Sequence, residues 1–353
     1  MKITFFIGNG YDINIGLKTA YPDFLKWYVQ RPGNNDYVFE FKKIISERLS
    51  YWSDLEMAIG QKTLTYPLNT KKGFKTCKQD LDTQLQYYLK AENKRISTPI
   101  QEDVDVFRRS IVTFPMHCDA GFRKDLQKVY DSHREEKYEY NVVNFNFTNT
   151  VDIFWDVLPY NAFWHTIFYP NLRTKEPQHF RIDDKKGKVY HIHGTLDREM
   201  ITGVGEPRQL VNTIYQNNEE IISVSVKPAI NENCKNGIEN RVSELIDSTD
   251  VFVVYGMSIG RTDVKWWKRV VQRLLTCENT YLLIVNYDKD YNKALPYTTS
   301  LVANKIITNL IEVSECPLEH QDRIRDKISV LLNTDLFKYG ALVEKQGSAA
   351  LMK

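Results

Sequence analysis

The chain has 353 residues, with 47 basic and 45 acidic side chains and a formal net charge of +2. That balance argues against nucleic acid or an anionic membrane as the main partner. Hydrophobic residues make up 42%, including 21 Tyr and 17 Phe, which excludes intrinsic disorder and suits one large α/β domain carrying an insertion.

A first strand is expected at Ile3–Ile7, ending at Gly8-Asn9-Gly10. Further continuous apolar runs at Tyr140–Phe147, Lys188–His193, Asp250–Tyr255 and Thr280–Asn286 read as buried parallel strands, with a weaker one at Lys305–Thr308. Helical patterns between them predict a Rossmann-like, doubly wound parallel sheet. The interval before residue 140 lacks strand signals and carries apolar residues at helical spacing, among them Phe24, Leu25, Phe41, Ile45, Leu81, Leu85, Phe107 and Ile111. It predicts a large, mostly helical insertion over residues 31–135. The nucleotide-binding unit is then residues 1–30 and 136–340, with 341–353 a flexible tail. Residues 157–187 read as irregular, with Asp183-Asp184-Lys185-Lys186-Gly187-Lys188 as a basic turn.

Five scattered cysteines without a C-x-x-C pair argue for reduced thiols and against a structural zinc site. Nothing reads as a secretory signal, and no apolar stretch approaches the roughly 18 residues of a membrane span. A cytoplasmic protein without a membrane partner is expected.

The candidate chemistry falls at strand ends, where ligands bind in parallel sheets. Gly8-Asn9-Gly10 suits either an ordinary βα turn or a phosphate seat, since glycines let backbone approach a ligand. Asn144, Asn146 and Asn149 cluster after the second strand. In His191-Ile192-His193-Gly194, alternation puts both histidines on one side; His193, nearest the strand end, is the candidate base and His191 the structural one. Metal ligation by this pair lacks further ligands, so no metal is expected. Gly256-Met257-Ser258-Ile259-Gly260 fits the G-x-S-x-G spacing of a hydrolase elbow, yet only His320 lies downstream, which disfavours a nucleophilic Ser258. Ser258 or Asp263 can also cap the following helix. Asn286 ends the fifth strand, and in Trp52-Ser53-Asp54-Leu55-Glu56 the carboxylates either cap a helix or reach the site.

Taken in order, FIGNGYDINIGLKTAYPDFLKWY, WSDLE, VVNFNFTNT, HIHGTL and YGMSIGRTD resemble the AbiH family of bacterial abortive-infection (phage-defence) proteins. More remotely they are similar to the sirtuin-like NAD-binding fold. That resemblance implies a phosphate turn at Gly8, Asn9 and Gly10, a catalytic Asn146 and His193, a ribose-phosphate loop at Gly256 and Ser258, with Asp263 beside it, and an adenosine-ribose contact at Asn286. The cysteine zinc ribbon of sirtuin deacylases is missing, and Thr148 stands where their acidic residue is usual. Protein deacylation is therefore not expected.

The leading expectation is an NAD-consuming glycohydrolase, with NAD as substrate. Asn146 would orient the ribose and water, His193 would act as base, and Asp12 or Glu56 would supply a negative field. The alternative is a nucleotide-sensing protein that contacts a partner protein or phage trigger. A nuclease is disfavoured because no paired-carboxylate metal motif is present. A homo-oligomer is expected.

Overall fold

The computed structural model describes residues 1–170, 177–289, 291, 292, 295–340, 342 and 343; the tail expected at 341–353 lies almost wholly outside them. Six strands form one parallel sheet: β1 (Lys2–Ile7), β2 (Glu139–Asn144), β5 (Lys185–His191), β6 (Val251–Tyr255), β7 (Tyr281–Asn286) and β8 (Ile328–Leu332). Their order is β5-β2-β1-β6-β7-β8. The chain thus winds outward one way from β1 and then the other, with its switch point between β1 and β6. This is the Rossmann-like α/β arrangement expected.

Both faces of the sheet are covered, which explains why its strands are continuously apolar. Ile3, Phe5 and Ile7 point into one core with Val251, Val253, Leu283 and the helices Gln101–Thr113, Ala120–Ser132 and Thr150–Val157. Phe6, Phe252, Val254, Leu282 and Ile284 point into the other, against helices Ile238–Asp247, Val264–Thr276 and Pro296–Val313. A third core joins helices Tyr21–Val29, Asp36–Glu47, Leu55–Gln61 and Lys71–Asn93 to the segment from Leu196 to Val226. This helical unit lies over the carboxyl edge of the sheet and forms one wall of the cleft described below.

Three expectations are corrected. Lys305–Thr308 is not a strand but part of the helix Pro296–Val313; so short an apolar run cannot be told from a helix by periodicity. The sixth strand is instead β8, an edge strand whose run is broken by the buried Ser329. The described residues of 157–187 are not irregular throughout. They include an antiparallel ribbon, β3 (Trp164–Pro170) with β4 (Pro177–Asp183), and the supposed basic turn opens β5.

At the switch point the turns after β1 and β6 meet backbone to backbone. Gly8 N donates to Tyr255 O at 3.0 Å and Gly10 N to Gly256 O at 2.6 Å. A Cβ on Gly10 would lie 2.5 Å from Gly256 Cα, and one on Gly256 (φ +62°) would lie 2.6 Å from Tyr11 N. Gly256→Ala should therefore suffer both left-handed strain and overpacking, together roughly 2–4 kcal/mol. Gly237→Ala has the same backbone demand (φ +65°) but open space around it, and should lose only the strain, about 1–2 kcal/mol. Urea denaturation of both variants checks the difference; equal losses would mean the two turns separate easily.

Candidate functional site

The turns after β1, β2, β5 and β6 converge on a cleft of about 470 Å³ at the carboxyl edge of the sheet. Gly8, Asn9 and Gly10, then Phe145, Asn146 and Phe147, then His193, and finally Gly256–Ser258, Thr262 and Asp263 line one side. Tyr21, Ser53, Asp54 and Glu56 face them from the helical unit, with Lys227 at the floor. Of the sequence-predicted residues, Gly8, Asn9, Gly10, Glu56, Asn146, His193, Gly256, Ser258 and Asp263 are brought together here.

At the centre is a buried charge network. Lys227 Nζ lies 2.7 Å from Glu56 Oε2 and 3.1 Å from Asp263 Oδ1. His193 Nε2 lies 2.9 Å from the same Asp263 oxygen. A carboxylate oxygen only accepts, so Nε2–H donates to it. The other oxygen, Oδ2, takes no hydrogen bond among the described residues. Burial alone would raise the Asp263 carboxyl, but the Lys227 ammonium and His193 outweigh it and hold the group well below the ordinary carboxylate range. Burial likewise opposes the Lys227 charge, and Asp263 and Glu56 override it, holding the ammonium above its usual value. Both charges therefore persist across physiological pH. Glu56 is also fixed from behind, its Oε1 accepting from Gly203 N at 3.1 Å.

Local sequence explains how each group arrives. Asp54 caps the helix Leu55–Gln61 by accepting from Met57 N at 3.1 Å, which sends Glu56 of the first turn inward. Of the two carboxylates in Trp52–Glu56, Asp54 caps the helix and Glu56 reaches into the cleft, whose wall Asp54 also joins. Lys227 opens the helix Lys227–Cys234 with Pro228 behind it, a position where proline's missing N–H costs nothing. Asn144 Oδ1 accepts from Asn146 N at 3.0 Å, turning the chain at the end of β2, and Asn146 Nδ2 donates to Gly8 O at 3.1 Å. Asn146 is thereby held at the lip of the β1 turn.

Other expectations change. The strand of the two histidines ends at His191, which bonds Asp152 at 2.9 Å and does not line the cleft; only His193 does. Asn9 lines the cleft, yet both ends of its amide are held by Thr19, at 3.1 and 2.5 Å. The N–H groups of Gly8, Gly10 and Tyr11 are engaged with backbone oxygens, so the glycines answer first to close packing of two turns. Asp12 is buried away from the cleft, accepting from Thr148 Oγ1 at 2.7 Å and Thr150 Oγ1 at 2.6 Å. Asn286 lines a neighbouring, mostly apolar cavity of about 450 Å³ with Ile13, Tyr255, Val285 and Tyr287. The two cavities share Gly10 and Gly256 in their walls. Ser258 lies at the cleft but is not bonded to His193, whose Nε2 is held by Asp263, so a hydrolase Ser–His pair is not formed.

Sequence reasoning passed over Lys227 and Tyr21. The signal for Lys227 was a lysine placed directly between the apolar Val226 and Pro228. Tyr21 stands in the AYPDF stretch; burial, then Glu56, Asp54, Asp263 and Asp82, push its phenol well above the ordinary value. Among the described residues no group of three or more His, Cys, Asp or Glu is placed to hold a metal ion, and no helix is long and apolar enough to cross a membrane.

A family model for bacteriophage abortive infection proteins, AbiH, matches residues 4–286, a span that includes every residue of the cleft. The chain belongs to the AbiH family. No curated protein matches it in sequence. The AbiH assignment makes it a phage abortive-infection defence protein.

Two measurements probe the carboxylates of this AbiH site. Lys227→Met leaves Glu56 and Asp263 buried without their cation and should cost about 3–5 kcal/mol in denaturant stability. Adding Glu56→Gln should recover part of that loss; no recovery would mean that lost packing, not charge, is responsible. Burial pushes Asp12 up to about 6, against its threonine and asparagine hydrogen bonds, so the folded state holds its proton more tightly than the unfolded state. Its favourable contribution is complete below about pH 4 and disappears as pH rises through 6. The stability of wild type relative to Asp12→Asn should fall by about 2 kcal/mol between pH 4 and pH 7. A constant difference would show that Asp12 titrates normally.

Proposed function

We propose that this AbiH protein is a phage-defence enzyme that binds NAD across its two adjoining cavities and hydrolyses the nicotinamide–ribose bond. The observation that carries the reading is the charge of the cleft: three lining carboxylates, Asp54, Glu56 and Asp263, stand against one ammonium, Lys227. Such a surface disfavours a free anion and favours a cation. Oxidised nicotinamide riboside carries a positive ring, and cleavage of its glycosidic bond passes through an oxocarbenium-like transition state. A carboxylate held ionised beside that centre stabilises the developing charge without reorganising.

Asp263 is the residue fitted to this role. Its Oδ1 is fixed by Lys227 and His193, which leaves Oδ2 for the ribose or the attacking water. Asn146 orients the ribose through its amide. The hydroxyls of Tyr21, Ser53, Ser258 and Thr262, all on the cleft wall, suit contacts to sugar hydroxyls. The apolar neighbouring cavity, with Tyr255, Tyr287 and Asn286 in its wall, suits a nucleobase and its ribose. His193 supports Asp263 in this scheme, in place of the direct base role expected from the sequence.

Purified protein incubated with NAD should release nicotinamide, followed by chromatography. Asn146→Ala, His193→Ala and Asp263→Asn should each lower release by about 10²–10⁴-fold while circular dichroism stays that of the folded protein. Full activity in the Asn146 or Asp263 variant would overturn the assignment. Calorimetric binding of NAD without product would instead identify a nucleotide sensor.

A further inference from the structure

His193 has a second ring nitrogen that the cleft chemistry does not use. Nδ1 is buried and has no hydrogen-bond partner among the described residues, a costly state for a polar atom. The side-chain oxygen of Asn231 is in the same condition. Both residues line one small pocket of about 10 Å³ that adjoins the cleft and shares His193, Lys227, Thr262 and Asp263 with its wall. Trp266 supplies an apolar side, and the Glu239–Lys265 ion pair also borders it.

The hydrogen-bonding character of the two orphan atoms follows from their neighbours. Asn231 Nδ2 donates to Glu239 Oε1 at 3.2 Å. Glu239 can only accept, which fixes the amide orientation and leaves Oδ1 as the unpartnered acceptor. Nε2 of His193 carries a proton toward Asp263, so in the neutral ring Nδ1 is an acceptor as well. Two unpartnered acceptors on residues that border one pocket suit a group that donates twice, and a volume of about 10 Å³ is at the threshold for one water molecule.

We propose that this pocket is a binding site for a single ordered water, which donates one hydrogen to His193 Nδ1 and the other to Asn231 Oδ1. Asp263 sets the tautomer protonated at Nε2, and the water satisfies the ring nitrogen left as acceptor. Asn231 is then a positioning residue: it acts on the cleft through the water, the ring of His193 and the carboxylate of Asp263. The water site is independent of the proposed reaction, whereas any effect of Asn231 on turnover rests on that reading.

The test uses the full-length protein labelled with ¹⁵N-histidine, with the His193 ring signals identified by their loss in His193→Gln. In the neutral ring, reached by raising the pH, Nδ1 should resonate as an unprotonated acceptor and Nε2 as a protonated nitrogen. In Asn231→Leu, which removes the second acceptor and fills the pocket, the Nδ1 signal should move. A crystal structure at high resolution should show one water within hydrogen-bond distance of both atoms. A proton on Nδ1 of the neutral ring in the wild type, or a pocket without water density, overturns the proposal. If Asn231→Leu fails to fold, the wild-type spectrum and crystal structure still decide it. Nicotinamide release separates the two readings, because its absence would sink the proposed reaction and leave the water site standing.

Discussion

The cleft depends on the neutralisation of one buried ammonium. Lys227 is only 6% exposed, and a charge so placed persists only when paired and hydrogen-bonded. Its two carboxylates come from opposite sides: Glu56 from the helical unit, Asp263 from the turn that follows β6. The ion triad is therefore also a mechanical tie between the walls. Because Asp263 Oδ1 is shared by Lys227 and His193, the position of the imidazole follows from that of the ammonium. Removing Lys227 leaves two buried carboxylates without a cation, whereas removing either carboxylate still leaves the ammonium one partner.

A second constraint divides the ligand edge in two. In many doubly wound folds the glycine turn after the first strand turns its amides to a phosphate. Here the Gly8–Gly10 turn packs on Gly256, and the amides of Gly8, Gly10 and Tyr11 bond to backbone oxygens. The resulting ridge separates an acidic cleft from an apolar cavity, with Gly10 and Gly256 in both walls. Recognition then falls to side chains: carboxylates, an amide and hydroxyls on one side, tyrosines and asparagines on the other.

Five of the six parallel strands were legible because burial on both faces makes them continuously apolar, and their ends marked the cleft. β8 escaped because an edge strand has a weaker pattern, and its Ser329 breaks the apolar run. The β3–β4 ribbon was hidden because its charged and aromatic strands form a separate two-stranded sheet, without the buried apolar run of the parallel strands. At the site, Asn146, His193 and Asp263 were visible as polar residues just past apolar strands. Lys227 was not, since a lone lysine before a proline has no periodicity to betray its burial, and its partners lie 171 and 36 residues away in sequence. The glycines read as an ordinary βα turn or a phosphate seat, and nothing in the sequence pointed to the second stretch of backbone that packs against them.

Two aspartates near the β1 turn show how environment assigns their parts. Asp12 is buried with only neutral donors, Thr148 and Thr150, so desolvation prevails and its carboxyl rises to about 6. Asp263 is buried beside a cation and an imidazole, and its carboxyl falls instead. Pairs of titratable groups driven apart in this way mark divided roles. Asp12, closed off beneath the turn, ties the helix after β1 to the loop after β2. Asp263 keeps its charge and one unengaged oxygen. Asn146 donates to Gly8 O at 3.1 Å and lines the cleft, and its amide also works to lower the Asp12 carboxyl against the stronger effect of burial.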